Sequence, residues 1–234
     1  NPRGIIDLSV AALADACGYS LGTVNRSLKE LVEAGYVDEK SRLTQKSMAE
    51  IEDKRPRRAI ILAAGFGMRM VPINTETPKG LLEVNGEPLI ERTIRQLQEV
   101  GIREIYVVVG FLKERYEYLI DEFGVELIVN PDYVGKNNLY SLKLALPHLA
   151  NAYVWCRSNP FRKRELYSWY MVNDAVDRES DVRVNRKMEL VSVPEKSGGN
   201  GMIGICYLTG PDAQTVQVRV AELCSNNRYD GAFW

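Results

Sequence analysis

The sequence predicts an α/β protein in which a mostly parallel sheet is preceded by a small helical unit. From residue 58 onward, short apolar runs alternate with amphipathic stretches. This alternation is typical of parallel strands that are covered by helices on both faces. A glycine-rich segment directly follows the first apolar run, at the edge of the sheet where ligands of such folds bind.

The continuous apolar run over residues 59–62 predicts the first buried strand. Further apolar runs predict strands at residues 104–109, 125–129 and 152–155. Amphipathic spacing predicts the helices between them at residues 89–100, 113–122 and 138–149.

The N-terminal unit contains two helices with start and stop signals. Ser9 and Ser20 are suited to cap the helix starts, while Gly18 and Gly35 are suited to end the helices. The second helix has apolar residues at helical spacing, namely Leu21, Val24, Leu28, Leu31 and Val32. Residues 36–44 predict a short hairpin, and residues 48–58 predict a helix end and a linker.

The segment ALADACGYSLGTVNRSLKELVEAGYV resembles the winged helix-turn-helix family through Ala14, Gly18, Val24 and Leu28. Small residues let two helices cross closely at a turn, and the apolar positions form a small core. The resemblance implies a winged helix-turn-helix domain over residues 1–54, followed by the α/β domain over residues 55–234.

DNA binding by residues 1–54 is possible but unsupported by charge. Residues 1–55 carry eight basic and nine acidic residues, whereas phosphate contacts supply most of the non-specific affinity for DNA. The second helix offers Asn25, Arg26 and Lys29 to a groove, yet it also carries Glu30 and Glu33. A regulatory or dimerising module is the alternative.

The overall composition is that of an ordinary globular protein, with 45% hydrophobic residues, 26% charged residues and a net charge of −1. No apolar run is long enough for a membrane span, and the N-terminus lacks a signal-peptide layout. The four cysteines are widely separated, so we expect reduced thiols in a cytoplasmic protein.

The segment LAAGFGMRMVPINTETPKG, residues 62–80, contains the residues most suited to chemistry. Its small residues, Ala63, Ala64, Gly65 and Gly67, let backbone N–H groups approach a phosphate chain without obstruction. Arg69 adds a fork-shaped cation that suits a triphosphate. Pro78 stiffens the chain before Lys79, whose ammonium can reach a reacting phosphate.

Two other phosphate-binding loops are excluded by the spacing. The segment lacks the Gly-Lys-Ser/Thr ending of a Walker loop, and its glycines do not form the G-x-G-x-x-G dinucleotide pattern. A glycine turn with surface cations is the plain alternative. The position of the complete pattern directly after a buried strand favours a phosphate-binding loop.

This pattern resembles the signature of the nucleoside-triphosphate transferase family, and the resemblance extends over residues 58–234. It implies a Rossmann-like nucleotidyltransferase domain in which an acceptor phosphate attacks the α-phosphorus of a nucleoside triphosphate. By resemblance, Arg69 and Lys79 are the catalytic residues. The nucleotide-binding residues are Leu62, Ala63, Ala64, Gly65, Phe66, Gly67, Asn137, Asn138 and Ser141.

A second stretch, Asn130-Pro131-Asp132-Tyr133 followed by residues 137–142, is most similar to the phosphocholine cytidylyltransferase branch. In that branch the Asn-Asn-x-x-Ser turn lies beside the base, and amides that both donate and accept could pair with cytosine. Taken alone, Asn137 and Asn138 could equally cap a helix. The resemblance implies CTP as donor and a small phosphate ester such as phosphocholine as acceptor.

The chain departs from the family pattern at its metal site. The family places a Mg²⁺-binding aspartate after the strand that follows the Asn-Asn helix, but no acidic residue occurs between Asp132 and Glu165. The second metal carboxylate normally lies in a later segment. Because the chain also starts without Met, we expect that residues have been omitted; a degenerate, nucleotide-sensing regulator is the alternative.

The acceptor is not determined by the sequence. A choline group would favour aromatic faces, for which Trp155, Tyr167, Trp169, Tyr170 and Trp234 are candidates. A sugar-1-phosphate nucleotidyltransferase would share the same loop. The leading prediction is a cytoplasmic, Mg²⁺-dependent cytidylyltransferase.

Overall fold

A computed structural model describes residues 9–40, 42–66, 76–155, 161–162, 165, 167–178, 180, 182–194 and 197–232. The chain divides into two compact units, Asn1–Arg55 and Pro56–Trp234.

The described part of the first unit contains three helices, α1 (Val10–Cys17), α2 (Leu21–Glu33) and α3 (Gln45–Asp53). Ser9 and Ser20 cap the first two helices as predicted, and Gly18 ends α1 with a φ of 71°. The predicted hairpin is reduced to one antiparallel bridge between Val37 and Leu43.

Residues 48–58 were predicted as a helix end and a linker, but the helix there, α3, already starts at Gln45. Thr44 caps it by accepting a hydrogen bond from the Ser47 amide, so the helix begins at Gln45. Lys46 lies over the Tyr36 ring and donates to the Ala34 carbonyl at 2.8 Å, which fastens α3 to the end of α2. These contacts join residues too distant in sequence for local spacing to predict.

The second unit is built on ten strands and four helices among the described residues. The strands are β1 (Arg58–Leu62), β2 (Glu83–Val84), β3 (Glu87–Pro88), β4 (Glu104–Val109), β5 (Glu126–Val129), β6 (Ala152–Trp155), β7 (Trp169–Asp177), β8 (Val182–Val184), β9 (Leu190–Ser192) and β10 (Gly199–Leu208). The helices are α4 (Leu89–Glu99), α5 (Tyr118–Phe123), α6 (Asn138–Leu144) and α7 (Gly210–Leu223).

The main sheet has the strand order β5-β4-β1-β6-β10-β7. The first four of these strands are parallel, whereas β10 runs antiparallel to both β6 and β7. Two small ribbons, β2–β3 and β8–β9, are separate from it. The predicted α/β fold with a mostly parallel sheet is confirmed.

Each face of the sheet is covered by a hydrophobic core. On one face, β1 and β4 pack against α4 and α5, with Ile94, Leu97 and Leu119 fully buried. On the other face, α6 and α7 pack through Leu142 and Ala213. Alternate residues of each strand point to opposite faces, so both faces of β1 and β4 must be apolar.

Two predicted helices are shorter than expected. Residues 113–122 form a 3₁₀ turn, Lys113–Tyr116, followed by α5. Residues 138–149 form α6, which ends at Leu144, and a second 3₁₀ turn at Leu146–His148. Pro147 lacks an N–H group, so it cannot continue the α-helical hydrogen bonds.

None of the helices in the described part of the chain combines the length and the apolar character of a bilayer span.

Gly110, directly after β4, lies where two other segments approach. A Cβ at this position would lie 2.7 Å from Tyr133 Cβ and 2.8 Å from the Ala64 carbonyl oxygen. The end of β4 therefore requires a residue without a side chain.

Gly110→Ala should destabilise the second unit by about 2 kcal/mol, because the methyl group forces backbone to move in a packed region. Thermal unfolding followed by circular dichroism should show a melting temperature lower by about 4–8 °C. Gly135→Ala is the matched control, since a Cβ there meets no atom within 4 Å. Equal melting temperatures for the two variants would contradict the packing described here.

Candidate nucleotide-binding site

The four parallel strands of the main sheet end at one edge. β1, β4, β5 and β6 end at Leu62, Val109, Val129 and Trp155, respectively. The carboxyl edge of an open parallel sheet is where ligands bind, because the loops diverge there and leave a crevice. The predicted site residue Leu62 ends β1, residues 63–66 follow it, and the stretch 130–133 follows β5.

The first loop is attached to the neighbouring strand by backbone hydrogen bonds. The Ala63 amide donates to the Val108 carbonyl at 2.8 Å, and the Phe111 amide donates to the Ala64 carbonyl at 3.1 Å. Gly65 is exposed, and a Cβ there would meet no atom within 4 Å. The loop thus offers an open backbone surface at Gly65, while the predicted Gly67 and Arg69 lie outside the described residues.

Three aromatic side chains connect the loops that follow β1, β4 and β5. The rings of Phe66 and Phe111 meet edge to face with centroids 4.5 Å apart, and Phe111 lies 6.4 Å from Tyr133. Phe111 was not predicted as a site residue. The pair Gly110-Phe111 directly after a buried strand was the sequence signal for it.

Lys79 begins a short 3₁₀ turn, Lys79–Leu81, that follows the buried Pro78. The Leu81 amide donates to the Pro78 carbonyl at 2.9 Å, which closes the turn. Arg115 Nη1 donates to the carbonyl of Glu76 just before it. Lys79 thus lies in a turn, and Arg115 fixes the backbone that leads into this turn.

Asn130 is a fully buried amide at the end of β5. Its Nδ2 donates to Ser141 Oγ at 3.0 Å, and its Oδ1 accepts from the Asp132 amide at 2.9 Å. Ser141 is itself buried on α6. The predicted site residue Ser141 therefore ties α6 to the loop after β5.

Asn137 is held by the C-terminal segment. Its backbone N–H donates to the Asp230 carbonyl at 2.7 Å, and its Nδ2 donates to the Gly231 carbonyl at 3.2 Å. Its Oδ1 accepts from the Asn138 amide at the start of α6. Asn137 Oδ1 thus caps α6, in line with the capping alternative, while Nδ2 binds the C-terminal segment. A contact of Asn137 or Asn138 with a base stays a prediction.

The described residues do not form a ready metal cage. Among them, no three His, Cys, Asp or Glu side chains lie close enough together to hold an ion. Asp132 follows β5 and is hydrogen-bonded to the Tyr140 hydroxyl, which raises the pKa of that phenol. Residues 156–160, where the family aspartate is expected, lie outside the described residues.

The predicted acceptor aromatics do not form one cluster among the described residues. Trp169 packs with Tyr153 in the core of one face, and Tyr170 packs against the core of the other. Tyr167 is exposed. Trp234 and the side chain of Trp155 lie outside the described residues.

The charges of the first unit add no support for DNA binding. On α2, Lys29 Nζ lies 3.8 Å from Glu33 Oε1. In the hairpin region, Arg42 is paired with Asp38 at 2.9 Å. Such exposed pairs contribute little to stability, but each places a negative charge beside a cation that a phosphate would need.

Two family models match the chain. A MobA-like NTP transferase domain matches residues 59–157, and a winged helix-turn-helix DNA-binding model matches residues 7–38.

Individual relatives share most of the second unit. The choline-phosphate cytidylyltransferase of Streptococcus pneumoniae is 33% identical over 195 residues, which are 76% of this chain and 81% of that protein. The 2-aminoethylphosphonate cytidylyltransferase of Lancefieldella rimae is 32% identical over 199 residues, 75% and 76% of the two chains. A solved structure of the CTP:phosphocholine cytidylyltransferase from Streptococcus pneumoniae matches with a TM-score of 0.67 and 32% identity, covering 76% of this chain and 82% of that one.

Ser141→Ala should lower the unfolding free energy by about 1–3 kcal/mol, because it leaves the buried Asn130 amide without its acceptor. Thermal unfolding should show a decrease of several degrees. Ser225→Ala is the control, because the exposed Ser225 hydroxyl bonds only the Glu222 carbonyl of its own helix end among the described groups. A stable Ser141→Ala protein with weakened nucleotide binding would instead assign Ser141 to direct nucleotide contact.

Proposed function

The chain belongs to the nucleotidyltransferase family that includes the choline-phosphate cytidylyltransferases, and from this premise we propose that it transfers CMP from CTP to phosphocholine or a similar small phosphate ester. The two relatives named above act on choline phosphate and 2-aminoethylphosphonate. Both acceptors join a phosphorus oxyanion to a short cationic group, which is the acceptor chemistry proposed here.

One structural observation carries this proposal beyond the family likeness. The loop after β1 is fixed to the end of β4 through Ala63 and Ala64, and it leaves the Gly65 backbone open. Amide groups in such a loop can bind the oxyanions of a triphosphate. Lys79 starts a separate turn that is held by Arg115.

The reaction requires positioning more than covalent chemistry. An acceptor phosphate oxygen attacks the α-phosphorus of CTP, a new P–O bond forms, and the bond to the bridging oxygen breaks with release of pyrophosphate. We assign the β- and γ-phosphates to the backbone of residues 65–67 and to Arg69. Lys79 is assigned to the α-phosphate and the incoming phosphate, where negative charge accumulates.

We propose Mg²⁺ as the cofactor, since nucleotidyltransferases of this type generally use a divalent ion. Mg²⁺ is commonly held by one or two carboxylates together with substrate phosphates. The described residues contain no ready cluster, so no step is assigned through the ion. The cytoplasm, which the scattered cysteines predict, is the proposed compartment.

A second candidate is a regulator in which the transferase-like unit senses a nucleotide. The winged helix-turn-helix match favours it, as does the lack of a carboxylate cluster in the described part of the chain. Its paired surface charges argue against direct DNA binding.

The decisive measurement is pyrophosphate release by the full-length protein with Mg²⁺, with each of the four nucleoside triphosphates against phosphocholine, 2-aminoethylphosphonate and sugar 1-phosphates. We expect release with CTP and one of the first two acceptors. Release with a sugar phosphate would retain the family chemistry and change the substrate. No release with any pair would reject the transferase function in favour of the sensor.

Lys79→Ala should lower kcat by at least about 100-fold, because charge in the transition state loses its cation. The melting temperature should stay within about 2 °C, since Lys79 is only half-buried. Lys113→Ala, which removes another half-buried lysine, one that is paired with Glu114, is the matched control. Near-normal turnover of Lys79→Ala would remove the assignment.

Mg²⁺ should stabilise the protein only together with CTP, because the described residues hold no preformed cluster. Thermal unfolding after EDTA treatment should be unchanged by millimolar Mg²⁺ alone and should shift upward with Mg²⁺ and CTP. Turnover should be lost in EDTA and return with Mg²⁺. A clear shift with Mg²⁺ alone would show a metal cage within the protein.

A further inference from the structure

The turn that starts at Lys79 is contacted by the segment between β4 and α5. Arg115 Nη1 donates to the Glu76 carbonyl at the entrance of the turn. The next residue, Tyr116, places its hydroxyl beneath Gly80. Two consecutive residues, Arg115 and Tyr116, thus contact one residue before Lys79 and one after it, Glu76 and Gly80.

The Tyr116 hydroxyl packs directly against the turn backbone at Gly80. Its ring is fully buried in the core that includes Leu119 and Ile94. A Cβ at Gly80 would lie 3.0 Å from Tyr116 Oη and 3.4 Å from Cε1. The backbone of the turn therefore lies directly on the phenol, at a position where glycine permits the close approach.

The Tyr116 hydroxyl is a buried polar group without a well-aligned hydrogen bond among the described residues. The polar group that it faces is the Gly80 backbone N–H, whose approach lowers the phenol pKa less than burial raises it. Buried polar atoms in native proteins nearly always have a partner. Hydrogen bonds in active sites are often long without substrate and shorten when it binds.

We propose that Tyr116 and Arg115 are positioning residues that hold the turn from Glu76 to Leu81 so that Lys79 meets the reacting phosphates. Tyr116 Oη accepts the Gly80 N–H in a contact that already restrains the turn without substrate and shortens when substrate is bound, and Arg115 fixes the start of the turn. This inference rests on the role assigned to Lys79 under the proposed function.

A general-base role for Tyr116 is excluded by its ionisation. Burial raises the pKa of Tyr116 to about 12, so the phenol stays protonated near neutral pH. The neutral oxygen can still accept one hydrogen bond, which is all that the positioning role requires.

The test compares two Tyr→Phe variants that each remove one hydroxyl from neighbouring positions. Tyr116→Phe removes the oxygen that faces Gly80. Tyr118→Phe removes an oxygen that instead donates to Glu91 at 2.8 Å. Both variants lose the same atom, so a difference between them reports the contact and not the chemistry of the substitution.

With CTP and the acceptor that the wild-type protein uses, Tyr116→Phe should lower kcat by about tenfold and leave KM for CTP within about twofold, because Lys79 acts mainly in the transition state. Tyr118→Phe should keep the wild-type kcat. In a Lys79→Ala background the Tyr116→Phe change should have no further effect, because both act through one group. Unchanged kcat in Tyr116→Phe, or a full additional loss in the double variant, would overturn the proposal.

Hydrogen exchange provides a readout that needs no substrate. Amides of Gly80 and Leu81 should exchange at least about threefold faster in Tyr116→Phe than in wild type or Tyr118→Phe. Equal exchange in all three proteins would overturn the positioning role even if the enzyme is active. Faster exchange in a protein that turns over no substrate would support the contact and reject only the proposed function.

Arg115→Ala separates positioning from direct contact with CTP. If Arg115 acts on the turn, kcat falls severalfold and KM for CTP changes little. A large increase in KM with unchanged kcat would place Arg115 on the nucleotide and remove it from the proposal.

Discussion

β1 lies between β4 and β6, and the parallel hydrogen-bond ladders on its two sides determine where every loop of the site begins. Its register places Ile61 opposite Val107 on one side and opposite Trp155 on the other, so neighbouring strands end at one level. Because its central residues are buried on both faces, a shift by one residue would turn every side chain to the wrong core. The position of the loop after β1 therefore follows from the packing of β1 between the two cores.

The described loops at this edge are attached to neighbouring segments by specific contacts. The first loop is attached to the end of β4, and the end of β4 requires the close approach that Gly110 permits. The loop after β5 is attached to α6 through the buried pair Asn130 and Ser141. A change in one loop thus reaches the others through specific contacts, so the site behaves as one connected structure.

The sequence predicted the strands well because continuous apolar runs are local patterns. The strands at residues 104–109 and 152–155 have the predicted bounds, since continuous apolar runs have few alternatives in a protein core. The family predicted from the Gly-rich loop is confirmed. The 3₁₀ turn that splits residues 113–122, the Tyr116 contact with Gly80 and the Asp230 contact with Asn137 escaped prediction. Each joins residues far apart in the chain or depends on a single backbone angle, such as the positive φ of Leu112.

The hydrogen bonds of Asn137 to Asp230 and Gly231 affect the order in which the protein folds during synthesis. The Asn137 turn is synthesised 94 residues before Gly231, its most distant partner. The central strands can pair as soon as β6 has emerged, but the turn lacks its two carbonyl partners until synthesis has passed residue 231. A nascent chain can therefore pair its four parallel strands while the start of α6 still lacks the contacts that hold Asn137, so this edge of the unit is completed only late in translation.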